Sequence, residues 1–418
     1  MIPVPPSLLQ IAARLDRPLY LVGGYVRNFL LYGKVLGTDI DVCGPFCVEE
    51  LSDRLQGVAK VIPVNPRIGT VLLKVGEDEY EYTTFRKDSY PLGGAHTPQS
   101  VTFVQTVEED ALRRDFTVNA LYYDIKNHIL KDVLGGMEDL QNKRLRTADK
   151  WQKTFREDGL RLLRAVRFAA QLGFDLSPET EEGAKSEAKL LKDISPERKR
   201  QELDLIFTAD EKYGVCGAHA RGLLLLQKLG LWRYLLPEMQ EYPFPSEEDV
   251  RIFERCPAPL RLTYLLFACL GKEDLYLTKA RAFLGAAGLK YSNKKVEEVE
   301  SVLYALNEIK TQSALNLYVA EHPAYAAALS ALGDLCGNPL LATAQQTLAR
   351  LYEKKVPFKV NALCVSGEQL RKNNVPPPLR GKALRYLLEE SIVQERSFTP
   401  REQWEIVNAY IEKAQYGE

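Results

Sequence analysis

Two acids separated by a single residue, Asp39 and Asp41 in TDIDVCG, are the side chains whose type and spacing point most directly to chemistry. On a strand, side chains alternate, so both carboxylates face one way while Ile40 and Val42 face the other. Such a pair can bridge a divalent cation, but it also occurs on half-buried edge strands without a catalytic task, and only context separates the two readings. The stretch YEYTTFR puts Glu81, Thr83 and Phe85 on one strand face. Were that strand to lie alongside, Glu81 would become a third acid, and three neighbouring acids repel one another without a cation. Two Mg²⁺ ions held by Asp39 and Asp41 would activate an attacking hydroxyl and bind the leaving oxygens of a triphosphate, which is in-line nucleotidyl transfer.

Three other stretches offer what such a centre needs. LVGGYVRNFLLYG, residues 21–33, enters a Gly-Gly turn and then a helix carrying Arg27. There Gly24 would bring backbone close to a triphosphate and Arg27 would neutralise it, although an ordinary strand–turn–helix junction looks the same. DALRRDFTVNALYYD, residues 110–124, offers Arg114 to phosphate and Asp115 or Asn119 to ribose; its plainer reading is a solvated basic turn leading into a buried segment. In FREDGLRLLRAVRFAAQLGF, Asp158, Arg161 and Arg164 recur at a helical spacing of three, which places them on neighbouring turns with Arg167 at the far edge. An aspartate that accepts and an arginine that donates together complement a base edge with an amino group beside a ring-nitrogen acceptor. Cytosine and adenine present that edge, uracil and guanine the reverse. A solvated Asp–Arg pair worth roughly 0.2–0.5 kcal/mol is the alternative.

These residues need a scaffold, and the chain supplies two kinds. Up to about residue 140, short strand-like runs alternate with turns: PLYLVGG, TDIDVCG, IGTVLLKVGEDEYEYTTF, SVTFV, VNALYYDI and HILKDVLGG. The alternation in LLKVGEDEYEYT predicts a hairpin. After residue 150 the periodicity becomes helical throughout, punctuated at Ser177-Pro178, Ser195-Pro196, Phe244-Pro245, His322-Pro323 and Pro376-Pro377-Pro378. At 418 residues two to four domains are expected. With 55 basic and 56 acidic residues the net charge is -1, so nucleic-acid binding must come from local clusters of Lys and Arg. Seven cysteines, Cys43, Cys216 and Cys336 among them, show no CxxC rhythm and suit reduced thiols. The N-terminus MIPVPPSLLQ has no secretory pattern and no run reaches membrane-spanning length, which predicts a cytoplasmic protein.

The order L-V-G-G-x-V-R, D-x-D, R-R-D-F-T-x-N-A and E-D-x-x-R-x-x-R-A-x-R-F resembles the class II tRNA nucleotidyltransferases and bacterial poly(A) polymerases of the polymerase beta-like superfamily. DVLGGMEDLQNKRLRT, ISPERKRQELDLIF and VSGEQLRKNNVPPPLRGKALRYLLEESI extend the resemblance over essentially the whole chain. It implies a multidomain fold: an α/β nucleotidyltransferase head with a mixed sheet at 1–145, then an all-α neck at 146–210, body at 211–325 and tail at 326–418. It further implies Mg²⁺, with CTP and ATP as substrates. CMP and AMP would be added without a template to the 3′ end of a tRNA gripped by its acceptor and T arms, releasing pyrophosphate. The implied residue roles are Asp39 and Asp41 on metal, Glu81 as a third carboxylate, Gly24, Arg27 and Arg114 on triphosphate, Asp115 or Asn119 on ribose, and Asp158 with Arg161 on the base. Arg164 and Arg167 would serve phosphate and helix support. An A-adding or CC-adding tRNA enzyme or a poly(A) polymerase is the nearest alternative; an inactive RNA-binding relative would have lost Asp39 or Asp41.

Three positions depart from the pattern. Asn28 stands where the family usually has Asp, keeping a hydrogen-bonding shape without the charge. The loop KDSYPLGGAHTPQS, which in relatives bears on switching from C to A addition, carries Gly93-Gly94 in place of a charged lever. Phe267 and Ala268 stand where some relatives have a His-Asp phosphohydrolase motif, which predicts no such activity.

Overall fold

The computed structural model describes residues 1–36, 39–90, 99–235, 243–271 and 275–416, so the Gly93-Gly94 loop lies outside the described residues. The chain divides into two compact units, Met1–Phe244 and Pro245–Glu418.

The first unit is built on a seven-stranded mixed sheet. Its strands are β1 (Tyr20–Val22), β2 (Asp41–Gly44), β3 (Lys60–Asn65), β4 (Thr70–Val75), β5 (Asp78–Thr84), β8 (Leu121–Asp124) and β9 (Leu130–Asp132), in the order β3-β4-β5-β2-β1-β8-β9. Between β5 and β8 in the chain, β6 (Arg86–Ser89) and β7 (Ser100–Phe103) form a separate antiparallel pair. The β4–β5 hairpin forms as the alternation predicts. β2 and β5 run parallel while every other neighbour pair in the large sheet is antiparallel. β3 escaped the pattern reading because Pro63 interrupts it; at the sheet edge a proline costs no interior ladder bond, and the register shifts between Pro63 and Asn65.

Alternation gives the sheet two apolar faces. Leu21, Val42, Tyr82 and Leu121 pack into one core, and Tyr20, Cys43, Phe85 and Tyr122 into another. The first core continues into Ala165, Phe168, Ala169 and Leu172 of the helix Leu160–Leu172. The acidic strand and that helix are therefore fixed relative to each other by shared packing. A short parallel pair joins β10 (Arg144–Leu145) to β11 (Asp175–Leu176), a strand in a stretch that reads as helical throughout; two residues are too few to register as a period. Pro178 and Pro196 open helices behind Ser177 and Ser195 at the N-caps, as the Ser-Pro punctuation suggests.

In the second unit the described elements are all helical. Its C-terminal core gathers Leu370, Ala383, Leu387, Val407 and Ile411 from the helices Gly367–Lys372, Pro377–Val393 and Pro400–Tyr416. Among the described residues no helix is long and apolar enough to cross a membrane.

Candidate active site

The site begins where β1 hands over to the helix Gly24–Tyr32. Gly23 is the N-cap of that helix with φ 74°, and a Cβ placed on it would stand 2.9 Å from Asp41 Oδ2. A side chain is barred here twice, by the positive φ and by the acid opposite. Gly24 is less constrained, since a Cβ there would meet only Arg27 Nη2 at 3.6 Å. Of the two glycines of the turn, Gly23 is the one whose backbone and surroundings exclude a side chain.

Asp41 is the first residue of β2 and Asp39 lies ahead of the strand, exposed. The expectation that both ride one strand is corrected: β2 starts at Asp41, paired with Val22, the last residue of β1, and Asp39 stands ahead of it. The two acids nevertheless line the same cleft, together with Gly23, Gly24, Arg27 and Arg114. On the other side β5 runs parallel to β2 with Glu81 in register with Asp41, the neighbour relation that the third-carboxylate reading required. Phe85, one residue past the end of β5, packs in the second core with Cys43, the residue in register with Thr83, so it lies on the same side of the sheet as Glu81 and Thr83, as the alternation predicts. Burial pushes the Asp41 carboxyl up, Arg114 draws it down and Asp39 pushes it up again; Glu81 is raised by burial and by Asp41. No ion pair relieves Asp41 or Glu81 among the described residues.

The basic side of the cleft is organised around Arg27, 2% exposed. Its Nε and Nη2 both donate to Asn28 Oδ1, at 3.1 and 2.9 Å, Nη2 also donates to the Tyr213 hydroxyl at 2.9 Å, and Nη1 donates to Asn119 Oδ1. Asn28 therefore does orient Arg27, with a neutral amide in place of a carboxylate. All these acceptors are neutral, and burial lowers the Arg27 pKa. The chain continues through Asn119 Nδ2, which donates to Asp115 Oδ1 at 3.0 Å, to Arg164 Nε, which donates to Asp115 Oδ2 at 2.9 Å. Arg167 Nε donates to Glu202 at 2.6 Å. Asp115 and Asn119, both read as ribose partners, commit polar atoms to Arg164, Arg27 and each other. Burial works against the Asp115 charge, but Arg164 and the Asn119 amide hold its carboxyl at about 2.

Asp158 does not lie on a helix with Arg161. It caps the C-terminus of the helix Trp151–Glu157, with extended backbone, and its Oδ1 accepts from Leu160 N at 3.0 Å. The spacing of three misled because the helical path breaks at Asp158 itself, whose backbone is extended, and the next helix starts only at Leu160 behind Gly159. Asp158, Arg161 and Arg164 still meet, lining one recess of about 260 Å³ with Tyr90 and Arg198. Arg161 is held by Thr154 O at 3.0 Å and Arg113 O at 2.7 Å. Burial raises the Asp158 carboxyl, partly countered by Arg161.

Arg114 alone borders all three recesses: the one with Asp39 and Arg27, the one with Glu81 and Thr83, and the one with Asp158 and Arg161. Its Nε donates to the Tyr122 hydroxyl at 2.8 Å and its Nη2 to Asp110 Oδ2 at 3.2 Å. Tyr213, Phe168 and Arg198 also line these recesses, and no local sequence signal marks them. The ring of Phe168 lies 4.2–5.2 Å from the guanidinium carbons of Arg27, Arg164 and Arg167, within cation–π range.

Among the described residues no group of three His, Cys, Asp or Glu side chains forms a closed metal cage. Two carboxylates beside a phosphate-sized cleft suit Mg²⁺ all the same, because that ion takes one or two carboxylates and fills its remaining positions with water and substrate phosphate. The raised Asp41 carboxyl, crowded by Asp39, is what a cation would relieve.

Residues 19–146 match a family model described as the poly A polymerase head domain, and residues 173–242 one described as the probable RNA and SrmB-binding site of polymerase A. The CCA-adding enzyme of Leuconostoc citreum (strain KM20) is 30% identical over 380 residues, covering 90% of this chain and 88% of that protein. That of Geobacillus stearothermophilus is 35% identical over 301 residues, covering 69% and 67%. A crystal structure of the Bacillus stearothermophilus CCA-adding enzyme in complex with CTP aligns over 99% of both chains with a TM-score of 0.68 at 27% identity.

Proposed function

The chain belongs to the family of CCA-adding enzymes, and from that premise we propose a division of labour among the residues of its cleft. The enzyme is a nucleotidyltransferase that adds C, C and A to the 3′ end of tRNA from CTP and ATP, releasing pyrophosphate. Asp39 and Asp41 hold Mg²⁺, with Glu81 as a third carboxylate. Bound there, Mg²⁺ supplies a Lewis acid for the attacking hydroxyl and for the departing phosphates.

The protein's own part is positioning and charge. Gly23 lets the turn close onto Asp41, so that Gly24 and the first N–H groups of the helix Gly24–Tyr32 approach the triphosphate. Arg27, aligned by Asn28, Asn119 and Tyr213, meets the phosphates with a charge that has only neutral partners in the protein. Arg114, bordering all three recesses, stands where triphosphate, attacking ribose and base converge, which is the place of the reacting α-phosphate. The tRNA 3′-hydroxyl enters on the Glu81 side, attacks in line and displaces pyrophosphate toward Arg27. Asp158 accepts from the amino group of cytosine or adenine while Arg161 donates to the neighbouring ring nitrogen. Asp115 and Asn119 act by aligning Arg164 and Arg27, and Arg167 supports the same helix. The remainder is neck (146–210), body (211–325) and tail (326–418), binding the acceptor and T arms through phosphates and shape; the protein works in the cytoplasm.

The observation that carries this reading is the register of Asp41 with Glu81 beside Gly23, on the cleft that Arg27 and Arg114 line. The test is incubation with Mg²⁺, labelled CTP and ATP, and tRNA ending before C74 or at C75. Incorporation of C, C and A in order is expected; incorporation of A alone, or an open-ended A tail, would refute the reading.

A further inference from the structure

The base-end recess holds one guanidinium, that of Arg198, with no partner for one of its donors. Arg198, in the first turn of the helix Pro196–Phe207, lines this recess and neither of the other two. Its Nη1 is buried and has no hydrogen-bond partner. The other arginines around the recess are held by protein acceptors: Arg86 by Asp88, Arg113 and Arg114 by Asp110, Arg161 by Glu157 and Arg164 by Asp115. Glu202 and Tyr90 act on Arg198 only through space, and burial lowers its pKa. An unmet buried donor costs stability, which a folded chain tolerates where a ligand will meet it.

The missing acceptor can be narrowed by chemistry. Asp158 and Arg161 complement an amino group and a ring nitrogen, features that cytosine and adenine share, so this pair rejects uracil and guanine but cannot tell C from A. Next to that ring nitrogen cytosine carries the O2 carbonyl, an acceptor; adenine has a C–H there. We propose that Arg198 is a specificity-determining residue that donates to O2 of the incoming cytosine. It thereby favours CTP over ATP in the steps that add C. The phosphates are not its target, since the triphosphate side of the cleft has Arg27, Arg114 and Arg164, and Arg198 does not line it. This inference rests on the base-reading role proposed for Asp158 and Arg161.

The test is equilibrium binding of CTP, ATP and 2-thio-CTP, whose sulfur is a poor acceptor, to wild-type protein and to Arg198→Met and Arg198→Lys. A hydrogen bond from a charged donor predicts about 10- to 100-fold weaker CTP binding by Arg198→Met, with ATP changed by less than about threefold. Wild type should bind 2-thio-CTP more weakly than CTP, and Arg198→Met should not distinguish the two. Arg198→Lys should recover part of the CTP preference. Equal losses for CTP and ATP, unchanged CTP binding, or a defect confined to the KM for tRNA would each overturn the proposal, the last assigning Arg198 to an RNA phosphate. If Arg198→Met does not fold, equal binding of CTP and 2-thio-CTP by wild type overturns it alone. Asp158→Ala separates the two layers: if it leaves the rejection of UTP and GTP intact, the underlying base-reading role fails, whatever Arg198 does.

Discussion

The carboxylates of the cleft fall into two groups that the fold treats oppositely. Asp41 and Glu81 reach the solvent of the cleft, yet partial desolvation pushes both up, with Asp39 adding to Asp41 and Asp41 to Glu81, and no ion pair holds them among the described residues. Asp110 and Asp115 are more deeply buried, yet both are held at about 2, because Arg113 and Arg114 flank the first and Arg164 clasps the second. Depth alone therefore does not set these acids apart; partners do. The paired acids align arginines and contribute stability, while the unpaired ones cost stability, as expected of groups whose proposed task is to meet a positive charge that the nucleotide brings.

The comparison breaks most visibly in activity. Asp41→Ala should cut nucleotide incorporation by about 10³-fold or more, as expected when a metal ligand at the reacting centre is lost. Its thermal midpoint should equal or exceed that of wild type, because a repelled carboxylate has been removed. Asp115→Ala should instead lose about 3 kcal/mol of stability in urea melts, since it leaves Arg164 and the Asn119 amide without their shared acceptor.

Gly23→Ala should fold with a loss of about 1–2 kcal/mol from its left-handed backbone. Steady-state incorporation should drop about 10- to 100-fold, because the new Cβ displaces the Asp41 carboxylate. Gly24→Ala, with only an ordinary contact, should lose far less.

Acid separates the two groups by the sign of their response. Asp110 and Asp115 have native pKa values of about 2 against an ordinary 3.8, so the folded state binds protons less readily than the unfolded state. Their contribution is complete above about pH 4 and is lost as pH falls toward 2, on the order of 2 kcal/mol for each acid. Asp41 and Glu81 have the opposite sign: raised native values favour protonation in the folded state, and their cost is relieved as pH drops through the raised values. Urea titrations across pH 2–5 should therefore show a steep acid loss that Asp115→Asn flattens and Asp41→Asn does not.

Much of this was legible beforehand. The β4–β5 hairpin and the Gly-Gly turn are local signals written in alternation and turn chemistry, and both appear accordingly, whereas of the acidic pair only Asp41 lies on a strand. What stayed hidden depends on long-range pairing or on backbone sterics. Tyr213 bonds to Arg27 across 186 residues, and no local pattern marks it. Which glycine of the turn excludes a side chain depends on the approach of β2, and the extended backbone at Asp158 interrupts the helix; sequence spacing carries neither. Asp115 and Asn119 were recognised as site residues, but their partners in the fold recast them as aligners of arginine.

The most direct test of the central claim, that Asp41 is kept unpaired to receive a metal with the nucleotide, is the rise in melting temperature that Mg²⁺ produces when CTP is present. Wild type should gain several degrees from adding Mg²⁺ to the CTP-bound protein, and Asp41→Asn, folded and melting no lower on its own, should gain none. An equal Mg²⁺-dependent rise in both proteins would contradict the account.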